Sequence, residues 1–133
     1  MPKQERGDAE KYRQKILEHL EILAKVDPAR RNFISDLRST VILEDHLEAK
    51  GHKDYLVRDE VDLSDLGLTS ISDPTRFSLC RRIDLSGNGL RSLSSSTLTF
   101  WRSCQTLVVD GGVLTEEDAK DIMPRLKELV IKN

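Results

Sequence analysis

The residues with the greatest chemical reach in this 133-residue chain are two cysteines, Cys80 and Cys104, three histidines, His19, His46 and His52, and the adjacent acids Glu44-Asp45 and Glu116-Glu117. Thiolates and imidazoles together could hold zinc, but ligand sites need these groups paired a few residues apart. No histidine stands at such a spacing from either cysteine. Each cysteine falls three residues before the first apolar strand position of a repeated phrase, Ile83 or Leu107. Equivalent residues of stacked strands would lie near the ~5 Å strand separation, so a bridge is geometrically open. In a reducing compartment the better expectation is two small buried hydrophobes. Acids adjacent on a helix diverge, and the two pairs read as solvated faces or partners of a helix dipole rather than as an acid/base couple. The chain has no His-Glu-x-x-His, no Gly-x-Ser-x-Gly and no phosphate loop, so catalysis by these residues alone is not expected.

Surface recognition is the remaining chemistry, and the repeated phrase says where it would lie. Val61-Asp-Leu63-Ser-Asp-Leu66-Gly-Leu68, Ile83-Asp-Leu85-Ser-Gly-Asn88-Gly-Leu90, Leu107-Val-Val109-Asp-Gly-Gly112-Val-Leu114 and Leu129-Val-Ile131-Lys-Asn133 begin 22, 24 and 22 residues apart. That period falls in the leucine-rich-repeat window. In each unit two apolar residues of a short strand point inward and the residues between them face out. The outward positions form columns: Glu60, Arg82, Thr106 and Glu128, then Asp62, Asp84, Val108 and Val130, then Ser64, Ser86, Asp110 and Lys132. The first two columns are the candidate interaction face. The second passes from two aspartates to two valines, which suits a mixed basic and apolar ligand, unless a neighbouring unit covers the valines. The turn position that normally carries asparagine holds Leu66, Asn88 and Gly112, so only one amide rung is present, and Gly112 supplies an unusual backbone angle instead. A small, marginally stable array is expected.

The elements that position this face are helical and irregular. Between Asp8 and Val26, Tyr12, Ile16, Leu20 and Leu23 recur at helical spacing, widened by Leu17 and Ala24. Asp27-Pro28 suits an N-cap and first helical position, and a second helix over roughly 28–50 presents Phe33, Leu37, Val41, Ile42 or Leu43, and Leu47 before Gly51 stops it. The short link predicts an antiparallel hairpin, its stripe covered by the first repeat or by another helix. Asp73-Pro74 opens a turn, and Thr115-Glu-Glu-Asp118 is a capping box ahead of a helix ending near Pro124. The Ser92–Thr97 tract reads as a polar turn rather than a phosphorylation target, and Phe100-Trp101 as a plug of the convex core.

The expected fold is therefore α/β. A helical hairpin over 1–53 leads into a leucine-rich-repeat solenoid of about three and a half units over 54–133, with helical or irregular returns on its convex side. With 33% charged residues and a net charge of -2, neither nucleic acid nor membrane insertion is favoured. No apolar run approaches the ~18 residues of a span, and the N-terminus lacks a signal-peptide core, so a cytoplasmic protein is expected. No cap follows the last strand, which suggests a piece of something longer.

The junction between helices and repeats carries a resemblance. Leu23-Ala-Lys-Val-Asp27-Pro28-Ala-Arg30, followed by Asp36-Leu37-Arg38-Ser39 with an apolar tract and Glu44, and then by the repeats, resembles the end of the helical part of Rab geranylgeranyltransferase (type II protein geranylgeranyltransferase) alpha subunits. The resemblance covers roughly residues 10–133. It implies a non-catalytic scaffold or docking part of a prenyltransferase, supporting transfer of geranylgeranyl to C-terminal cysteines of Rab GTPases. A beta subunit, a Rab escort protein and the Rab itself are the implied partners. Zinc is expected on the beta subunit, with no cofactor in this chain. The family's Asn- and Trp-containing helical motifs are absent, so no catalytic, zinc or lipid residue transfers to any position here. The alternative is an independent cytosolic leucine-rich-repeat adaptor using the same outward columns.

Overall fold

The computed structural model describes the backbone from Pro2 to Asn133 and the side chains from Asp8 onward. Helix α1 (Pro2–Val26) and helix α2 (Arg31–Ala49) are joined by a 3-10 turn at Pro28–Arg30. Asp27 makes no side-chain capping bond, contrary to expectation; its carboxylate lies 3.4 Å from the Arg30 guanidinium instead. Arg13 of α1 donates to Asp45 at 2.8 Å and to Glu48 at 2.6 Å, which ties the middle of α1 to the end of α2. Helix α2 stops at Gly51, whose φ of 81° admits the left-handed turn. The Gly51 and His52 N–H groups bond back to Glu48 and Leu47, closing two carbonyls that the helix end leaves free.

Four strands follow, β1 (Arg58–Asp62), β2 (Leu79–Asp84), β3 (Thr106–Asp110) and β4 (Glu128–Lys132), all parallel and adjacent in chain order. Parallel neighbours require a crossover between each pair. The returns are a 3-10 turn at Pro74–Phe77, helix α3 (Ser95–Phe100) and helix α4 (Glu116–Ile122). Thr115 caps α4 by accepting from the Asp118 N–H at 3.1 Å, as the capping box predicts. The Ser92–Thr97 tract is not wholly a turn: Ser94 accepts from the Thr97 N–H and starts α3. Its hydroxyl outcompetes the turn because it satisfies a donor that the new helix exposes.

The inward strand positions fill the core. Val61, Leu63, Ile83, Leu85, Leu107 and Val109 are buried, whereas Leu129 is half-buried and Ile131 exposed on the edge strand. Leu43 and Leu47 of α2 join the same core, so α2 and the sheet share one apolar cluster. Trp101 is fully buried and its indole N–H donates to the Pro74 carbonyl at 2.9 Å; Phe100, expected beside it, points to solvent. Cys80 and Cys104 are buried free thiols.

The single amide rung is heavily used. Asn88 accepts from the Leu66 and Leu68 N–H groups at 3.0 Å and donates to the Leu63 and Leu85 carbonyls at 2.8 and 2.9 Å. Its side chain thus stitches the first turn to the second. Between the second and third units Asp110 takes over, accepting from the Gly87 and Asn88 N–H groups. Gly112 has the positive φ, 86°, expected of it.

Candidate binding face

Hydrogen-bond registration between the strands aligns the outward columns as their sequence spacing demands. Glu60 pairs with Arg82, Arg82 with Thr106 and Thr106 with Glu128; Asp62 pairs with Asp84, Asp84 with Val108 and Val108 with Val130. A one-residue slip between Asp59 and Glu60, where Asp59 has a φ of 64°, brings β1 into this alignment. Without that irregularity Glu60 would face Arg81. All eight predicted face residues therefore lie on adjacent strands.

Their surroundings differ. Glu60, Asp62, Arg82 and Glu128 are exposed, Thr106, Asp84 and Val130 half-buried, and Val108 buried. The two aspartates are not simply an acidic patch. Asp62 Oδ1 accepts from the N–H of Ser64 at 3.0 Å and from its hydroxyl at 2.6 Å, and Asp84 holds Ser86 in the same way. One oxygen of each carboxylate thus closes the local turn after its strand. The Ser64 hydroxyl and then its N–H hold the Asp62 carboxyl below its ordinary range, with His46 and Lys50 adding to the effect.

His46, Lys50 and His52 were missed by the strand-centred reading. They line a cleft of about 460 Å³ with Glu60, Val61, Asp62, Arg82 and Asp84. His46 Nε2 donates to the Asp62 carbonyl at 2.7 Å, so the last turn of α2 forms one wall. The signal was present: His46 and Lys50 are four apart, hence on one helix face, immediately before the link to β1. The cleft carries both signs of charge and no nucleophile set against a base.

Helix α2 is held there by a polar seam. The Ser35 and Ser39 hydroxyls lie 2.8 and 3.0 Å from that of Thr69, the Thr69 N–H donates to Ser39 at 2.9 Å, and Arg38 donates to the Gly67 carbonyl at 3.3 Å. Arg76, almost fully buried, pairs with Glu44, donates to the Tyr55 carbonyl and lies 5.3 Å from the Tyr55 ring centroid. Tyr55 in turn donates to Asp73, whose carboxyl is held low first by Thr75 and then by Tyr55. Burial pushes the Cys80 thiol up to about 12 and that of Cys104 to about 11, which keeps both protonated and unreactive. Among the described residues no group of three or more His, Cys, Asp or Glu could hold a metal ion, and no helix is long and apolar enough to cross a membrane.

Among the described residues, four helices and a parallel four-stranded sheet define a mixed α/β protein. The chain is similar to the alpha subunit of type-2 geranylgeranyl transferase, as the junction motif suggested. It is 31% identical to the Mus musculus subunit over 122 residues, 92% of this chain, and 29% identical to the Homo sapiens subunit over the same length. The Bos taurus subunit is 29% identical over 126 residues, 95% of this chain. The chain spans only about a fifth of these relatives, 21% or 22% of their length. No protein-family model matches it.

Proposed function

We propose that this chain is a non-catalytic scaffold and docking module of a Rab geranylgeranyltransferase alpha subunit. On this reading it is a helical hairpin backed by a short leucine-rich-repeat solenoid, working in the cytoplasm beside a prenyltransferase beta subunit. Transfer of geranylgeranyl to C-terminal cysteines of Rab GTPases, presented by a Rab escort protein, is the activity it supports.

The observation that carries the docking role is the apolar face on the helix pair. On α1, Tyr12, Ile16 and Val26 recur about a quarter turn from Arg13, which faces α2. On α2, Phe33 and Leu37 recur about a quarter turn from Asp45 and Glu48, which face α1. With the helices bound side by side, both stripes fall on one side of the pair. Tyr12 is 73% and Phe33 64% exposed. Such a paired face fits burial against another helical layer better than contact with water. The similarity to alpha subunits supports the choice of assembly, and zinc and isoprenoid chemistry are assigned to the beta subunit. The second reading, an independent adaptor, is favoured by the aligned columns Glu60–Glu128 and Asp62–Val130.

Affinity purification of the full-length gene product from its own cells tests the choice. Recovery of a prenyltransferase beta subunit in comparable amount is expected; its reproducible absence alongside other bound proteins would reject the transferase reading in favour of the adaptor.

A further inference from the structure

We draw no further inference here: the strongest candidate, the cleft between the end of α2 and the outward face of β1 and β2, belongs to the face already described, and its carboxylates stand beside Lys50, His46 and Arg82 with nothing in the structure to select a ligand.

Discussion

Asn88 joins two turns through one side chain, so its loss leaves several backbone groups without partners. Asn88→Ala is expected to cost about 3 kcal/mol in denaturant unfolding, because buried donors and acceptors left unpaired cost about 1–3 kcal/mol each. An unchanged midpoint would show that the rung is dispensable. The two thiols, deeply buried, should resist a disulfide-exchange reagent in native buffer and react only at the unfolding rate; fast stoichiometric labelling would contradict their placement. Asp62 and Asp73 carry depressed folded values, so their stabilisation is complete above the ordinary carboxylate range and is lost as pH falls below about 4. Asp62→Asn combined with Asp73→Asn should flatten the fall of Tm on acidification, and a slope equal to that of the parent would refute this. At this scale the period placed Asn88 and the cross-strand pairing correctly, whereas Val108, expected to face out, is buried. Arg76, the Thr69 seam and the bonding of Asp110 were not legible, because each depends on residues more than twenty positions apart meeting in space.

Helix and turn boundaries were legible where local chemistry decides them, as at Gly51, Thr115 and Asp73-Pro74. Two glycines allow the backbone and the packing contributions to be separated. Gly51 has open space where a Cβ would stand, whereas a Cβ on Gly87 would lie 1.8 Å from an Asp65 carboxylate oxygen, and both have positive φ. Gly51→Ala should therefore cost about 1 kcal/mol, for the left-handed conformation alone. Gly87→Ala should cost more because the Asp65 carboxylate must also turn aside, and equal midpoints would contradict a contribution from that carboxylate. The stripe on α2 was only half legible. Periodicity marked one stripe, Phe33, Leu37, Val41, Ile42 or Leu43, and Leu47; its C-terminal members Leu43 and Leu47 are buried with Ile34 and Ser39, whereas Phe33 and Leu37 are exposed. Helix α2 packs in two directions, and the side toward the sheet uses serine hydroxyls bonded to Thr69. Hydrophobicity alone therefore does not separate the two directions.

For the whole molecule, the shared core of α2 and the strands predicts one cooperative transition for α2 and the sheet rather than separate melting of the two. Leu85, 1% exposed at the centre of the inward column, tests it: Leu85→Asp buries an unpaired charge and should abolish that transition. The apolar face of α1 and α2 lies outside this core, which lets docking be separated from folding. The most direct test is affinity purification of the full-length product carrying Phe33→Asp and Leu37→Asp beside the parent, with the thermal midpoint of each recorded. An unchanged midpoint with at least a tenfold loss of the co-purifying prenyltransferase beta subunit is expected. Undiminished recovery of that subunit at the same midpoint would contradict docking through the helix pair.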